Sequence, residues 1–272
     1  MNRFHIPPAA QLKAEAKAAM NRAGKPLLVV ALVYWGIDFA ISSALQGTVP
    51  EDKILLVTLL ELAISLLLSI LTFGFRGLCL DASRGEPELP LSGLLAGTHL
   101  PLRVFGITLL EGLLALVYGI PYVLAMVAAG LCVAMLSVLG ILVAIPVYLW
   151  SLWGIMKIAA RYSMAPFILW DRPDMPAMDC LNLSRTMMEG HEGKYIWLEL
   201  SFFGWILLGM VTWGIPMIWV NPYMQLTMAG FYRALGGDNI ANPDRPDSAS
   251  QEERDDLKDA FTTSAYRDQE DK

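Results

Sequence analysis

Of 272 residues, 55% are hydrophobic and only 17% are charged, with a mean hydropathy of +0.48, which excludes an ordinary soluble domain. The net charge of −6 says little about the body of the chain. Residues 237–272 hold eleven acids against five bases and so carry the whole excess. Three scattered cysteines, Cys79, Cys132 and Cys180, sit in apolar surroundings. They exclude a disulfide framework and read as small buried hydrophobes.

A membrane-crossing helix needs about 20 predominantly apolar residues. Residues 1–25 form an amphipathic segment without the short apolar core of a secretory signal. The first apolar run, 26–45, is long enough to span and is expected to be retained as an anchor. QGTVPEDK turns the chain into a second span, 54–75, followed by Arg76, Asp81 and Arg84. A proline-rich loop, ELPLSGLLAGTHLP, leads to Arg103 and a third span over 104–128.

Between Val104 and Trp170 the charged residues are Glu111, Lys157 and Arg161. Three short spans here would bury both bases at a cost of several kcal/mol each. Two spans turning near Ala129 and Gly130 put them at an interface, with the fourth helix over 131–156 extending to 170.

DRPDMPAMDCLNLSRTMMEG reads as an amphipathic helix lying on the cytoplasmic membrane surface, capped by Asp174, with Pro176 in its first turn and Gly190 at its end. Its Asp179, Asn182, Thr186 and Glu189 share one face, and Met178, Leu181 and Met188 lie on another. A fifth span covers 195–213. After Gly214-Ile215-Pro216 comes the sixth, 217–235, in which Asn221 and Pro222 resemble a cap and first helical residue. The acidic segment 237–272 is too polar to form a core and reads as a disordered cytoplasmic tail.

The expected fold is therefore all-α: a six-helix membrane bundle over 26–236 with both termini cytoplasmic. Of the 20 Lys and Arg residues, Lys53 alone falls outside in this arrangement, which agrees with the cytoplasmic bias of basic residues.

RYSMAPFILWDRP, SRTMMEGHEGKYIWLELSFFGWILLGM and NPYMQLTMAGFYRAL, together with the amino-terminal QLKAEAKAAMNRAGKPLL, resemble the domain-of-unknown-function family 975. These are uncharacterised multi-pass membrane proteins of bacteria. Ser184, Gly190, His191, Trp205, Pro222, Tyr223 and Tyr232 fall where that pattern puts them. Glu192 departs from it, standing where a base is more usual. The resemblance implies a bacterial plasma-membrane protein with six helices, and it implies no activity.

No catalytic constellation is visible. His5, His99 and His191 lie outside the spans, with no HExxH-type pair, and no Gly-rich loop follows a strand. The expectation is a non-enzymatic structural or regulatory membrane component without cofactor or nucleic-acid partner. It would sit in the lipid bilayer and meet a protein partner through the surface helix or acidic tail. The alternative is a transporter of small solutes, ions or lipids using intramembrane carboxylates. Asp38 and Glu61 are placed at similar depth by antiparallel first and second spans, where two carboxylates cannot both ionise easily. Lys157 and Arg161, one turn apart, are candidate lipid-headgroup contacts. Asn221 reads as a cap, and Gln225 and Thr227 as interhelical polar contacts, rather than as a site.

Overall fold

The computed structural model describes residues 6–46, 54–86, 89–136, 138–212, 214 and 216–241, and among them it is all helix. The tail beyond 241 lies outside these residues. Four stretches are long and apolar enough to cross a membrane: Ala63–Arg84, Pro101–Ala134, Gly140–Asp171 and Glu192–Val211.

α1, Ala9–Gln46, is broken at Gly24, whose φ of 57° and ψ of −136° suit only a residue without a Cβ. Pro26, which cannot donate to the carbonyl one turn back, completes the break. The first half buries Leu12, Ala16 and Ala19, residues at helical spacing on one face. α2, Ile54–Arg84, is central and closely packed. A 3-10 segment, Leu91–His99, lies against it, and a Cβ on Gly77 would overlap the Trp170 ring.

α3 runs from Pro101 to Leu136 and α4 from Val138 to Tyr162. The hairpin turn thus falls beyond the expected Ala129–Gly130. The physical reason is that AAG offers no polar group to replace helical hydrogen bonds, and in an apolar setting only continued helix satisfies the backbone. Gly140 permits close approach to the backbone of Cys132 just past the turn. Only 11% of the α3 span and 17% of the α4 span are buried, against 50% for α2.

The fourth helix does not continue unbroken to 170. α4 ends at Tyr162, and α5, Ala165–Asp171, follows with Pro166 in its first turn. Proline there lacks an amide and crowds the preceding turn, which stops the ladder. α6, Ala177–Met188, forms where the sequence places it, but Pro176 rather than Asp174 is the N-cap residue; Asp174 lies two positions too early. Most of its apolar face is turned to protein, while Met178 is 49% exposed. Cys180, Leu181 and Met188 are buried in a core shared with α5, α7, α9 and the inner parts of α2 and α3.

The fifth expected span is two helices, α7 (Glu192–Leu200) and α8 (Phe203–Val211), parted at Ser201–Phe202. α9, Met217–Ala234, starts after Pro216. Asn221 is therefore not its cap, and Pro222 lies buried inside it. The hydroxyl of Thr227 donates to Tyr223 O one turn back, 2.8 Å away, rather than across to another helix. A short α10, Gly237–Ala241, closes the described chain. α1 is described with side chains only to Ile37, and α9 carries Asn221, Gln225 and Arg233 among its 18 residues. Neither belongs to the four stretches above.

Candidate functional site

α2 presents Ser65, Ser69, Thr72 and Arg76 at spacings of four, three and four, so they form one polar stripe in an apolar helix. α3 presents Val104, Ile107, Thr108 and Glu111 at the same period, and α5 adds Pro166 and Leu169. These elements enclose a cavity of about 360 Å³. Three hydroxyls donate to their own helices: Ser69 to Leu66 O (2.6 Å), Thr72 to Leu68 O (3.0 Å) and Thr108 to Val104 O (3.0 Å). With their protons so used, they offer lone pairs to the cavity.

Arg76 lines the same cavity. Its Nε is buried and has no hydrogen-bond partner, and Arg76 forms no ion pair among the described residues. Its field reaches the carboxylates of Glu111 and Glu199 without direct contact with either. A fixed cation and a carboxylate thus line one cavity without neutralising each other directly. That arrangement suits a ligand bearing both an anionic and a cationic or hydroxyl group.

At the carboxy-terminal end of α2 the charged groups pair directly. Arg84 on α2 binds both oxygens of Asp171 (2.6 and 2.8 Å), and its Nε binds Asp238 on α10 (3.0 Å). Tyr232 OH donates to Asp171 (2.9 Å), Arg233 donates to Asp238 (3.0 Å) and to Ser83 O (2.8 Å), and Trp170 Nε1 donates to Asp81 (3.1 Å). This network fastens α2, α5, α9 and α10 together and leaves no open coordination for a ligand.

The residues singled out in the sequence have varied roles. Asp38 and Glu61 lie on α1 and α2, but their side chains fall outside the described residues. Lys157 is exposed, 6.0 Å from the centre of the Trp153 ring. Arg161 donates from Nε to Glu192 (3.0 Å), whose other oxygen accepts from Gly190 N (3.1 Å). Glu192, the departure from the family pattern, thus has a partner on α4. Gly190 has φ of 80° and turns α6 into α7. His191 is buried with Nδ1 unpartnered, and burial together with Lys194 holds its imidazole below the ordinary range.

Ser184 is fully buried and repairs the α4–α5 break: its hydroxyl donates to Arg161 O (2.9 Å) and accepts from Met164 N (3.2 Å). Lys13 does the same at the α7–α8 break, donating to Ser201 O (3.3 Å) while lying over Phe202. Tyr223 meets Phe202 edge-on and Tyr232 stacks on Phe167. Trp205 is 48% exposed on α8, as a lipid-facing aromatic would be. Of the cavity residues, Glu111 was visible as a rare charge. The stripe on α2 was legible as period-four hydroxyls ending in an arginine, a signal easily lost among so many apolar residues.

No curated protein and no solved structure matches the chain. The profile of the family described as protein of unknown function (DUF975) matches residues 8–239. With most of its length covered, including every residue lining the cavity and every charged residue of the network, the chain belongs to that family.

Proposed function

We propose that this is a non-enzymatic multi-pass protein of the bacterial plasma membrane, with six spans and both termini cytoplasmic, that binds and moves a small polar solute. The observation that carries this reading is the cavity lined by both Arg76 and Glu111, which form no ion pair with each other or with any other described residue. Arg76 is half-buried, and a cation that no carboxylate neutralises can take up an anionic group of a ligand. The volume sits at the small end of ligand sites, roughly 300 to 1,000 Å³. It fits a zwitterion or hydroxy acid rather than a bulky substrate. The carboxylate of this reading is Glu111 rather than the Asp38–Glu61 pair.

The test is thermal stability and solute flux of the purified, reconstituted protein against a panel of labelled zwitterions and hydroxy acids. Arg76→Gln is expected to raise the melting temperature of the unliganded protein while abolishing the rise given by a bound solute. Glu111→Gln is expected to weaken that rise. If no panel member shifts stability or crosses the membrane, and Arg76→Gln lowers stability, the arginine is structural and the reading is wrong.

The second reading, a structural or regulatory component, draws on α6. Asp179, Asn182, Thr186 and Glu189 are all exposed. A cytoplasmic protein partner would meet that polar face or the acidic tail. Crosslinking in native membranes from a residue placed at 182 tests it, and recovery of no protein would count against it.

A further inference from the structure

A second cavity, about 270 Å³, lies where α3, α4 and α6 meet, and it is lined by Tyr118, Tyr122, Tyr162, Arg161 and Arg185 with Ile158 and Pro121. Its composition is unlike that of the first. Two guanidinium groups and three phenols converge with no acid among the lining residues. Glu192 takes only the Nε of Arg161, so the remaining N–H groups of that guanidinium are not used by it. Arg185 is exposed and makes no ion pair among the described residues, not even with Glu189 one turn on.

Depth favours the same conclusion. From the hairpin turn between Leu136 and Val138, about 20 residues back along α3 reach Tyr118 and about 20 forward along α4 reach Lys157; at ~1.5 Å per residue that is roughly 30 Å, the thickness of the hydrocarbon core. With the turn at the outer boundary, Tyr118 and Lys157 mark the inner one. Arg161, a turn further along α4, then stands at headgroup level, and Arg185 reaches the same cavity from the cytoplasmic helix α6. The inner leaflet is where anionic lipids concentrate basic residues, and arginine matches phosphate oxygens in a two-pronged way. Tyr118 is exposed and Tyr122 half-buried, so their hydroxyls can donate to the same oxygens.

We propose that the α3–α4–α6 cavity is a phosphate site, held by Arg161 and Arg185 with the tyrosine hydroxyls, and that its occupant is the phosphodiester of an anionic lipid of the inner leaflet. Lys157, exposed beside it, adds attraction without lining the cavity. This site is separate from the Arg76–Glu111 cavity and stands whether or not that cavity binds a solute.

The experiment compares the full-length protein in nanodiscs of phosphatidylcholine alone, of phosphatidylcholine with a fraction of phosphatidylglycerol, and of phosphatidylcholine with inorganic phosphate in solution. Thermal stability is read together with the lipids retained in native mass spectrometry. The wild type is expected to gain stability and retain phosphatidylglycerol. In Arg185→Gln retention is expected to weaken about tenfold, as one charge-assisted contact is lost. Arg185→Lys, which keeps the charge but not the fork, is expected to fall between them. Arg185 is exposed, so these variants are not expected to disturb the fold, and an unchanged melting temperature in phosphatidylcholine alone verifies that. A rise with inorganic phosphate that Arg185→Gln removes would keep the phosphate site but overturn the lipid as its occupant. Equal behaviour of wild type and Arg185→Gln in every condition would overturn the site.

Discussion

The guanidinium of Arg84 grips both carboxylate oxygens of Asp171, at 2.6 and 2.8 Å, and so ties the carboxy-terminal end of α2 to the end of α5 across 87 residues of chain. Asp171 is 3% exposed in its side chain and Arg84 20%, so water screens this pair little. Asp171→Asn keeps the shape but removes the charge that balances Arg84 and orients Tyr232. Breaking one side of such a pair costs about 3 to 5 kcal/mol, with the upper end expected for full burial. Thermal unfolding in detergent is expected to show Asp171→Asn far less stable than wild type. A shift no larger than that of an exposed control such as Asn182→Ala would show that the pair contributes nothing.

Ser184 gives a second measurable case. Its hydroxyl serves both backbone groups left open where α4 stops and α5 begins. Ser184→Ala leaves two buried polar groups without partners, at about 1 to 3 kcal/mol for each group that water cannot reach. Hydrogen exchange at Met164 is expected to accelerate with only minor change elsewhere. Uniform acceleration across the molecule would point to global destabilisation instead.

At Gly77 the prediction is steric. A methyl group there would overlap the Trp170 ring, which in turn donates to Asp81. Overpacking of this kind costs about 1 to 3 kcal/mol. Gly77→Ala is expected to shift the tryptophan emission as Trp170 moves, and an unshifted spectrum with full stability would contradict the packing.

The Asp238 contact has a pH dependence with a definite sign. Burial alone would raise this carboxyl, but Arg233 and Arg84 outweigh it and hold the folded value below the ordinary 3.8. A lowered carboxyl contributes stability that is complete above the unfolded value and is lost as pH falls through the folded one. Proteolysis next to α10 is therefore expected to be slow at neutral pH and to quicken below about pH 4. Asp238→Asn is expected to be cut readily at neutral pH and to lack that step. A step of equal size in the variant would assign it to another group.

Orientation is tested by labelling in a cysteine-free background. A cysteine at position 48 is expected to react with an impermeant reagent from outside, and one at 248 only after permeabilisation. The reverse pattern would invert the proposed topology.

Much of the helical order was legible because hydropathy and charge placement act locally. The presence of α6 and its end before Gly190 followed from the sequence, though its start fell later than the expected Asp174 cap, and the α3–α4 hairpin followed from the scarcity of charge between Val104 and Trp170. Boundaries set by the surroundings were less legible. Ala129–Gly130 looked like a turn, yet a helix in apolar surroundings has no reason to stop there. The face of α6 that looked suited to lipid instead meets other helices, because hydropathy does not distinguish a lipid neighbour from a protein one. The cavity was harder still. Glu111 and Arg76 are 35 positions apart in the sequence, and their convergence depends on how α2 and α3 cross, which composition does not encode.

The Arg84 clasp also has an order in time. Its two acids lie 87 and 154 residues downstream, so a ribosome adding about 5 to 20 residues per second delivers Asp171 roughly 4 to 17 s after Arg84 and Asp238 roughly 8 to 31 s after it. During that interval α2 is already made while its inner anchor is not. The α3–α4 hairpin, whose arms end at Leu136 and begin at Val138, needs no such wait. Assembly is therefore expected to be late-sealed. Nascent chains arrested before position 171 would present α2 to membrane proteases unfastened, and chains arrested past position 238 would resist them once both acids have emerged. Cleavage that is equal at both arrest points would show that α2 is held by something other than this clasp.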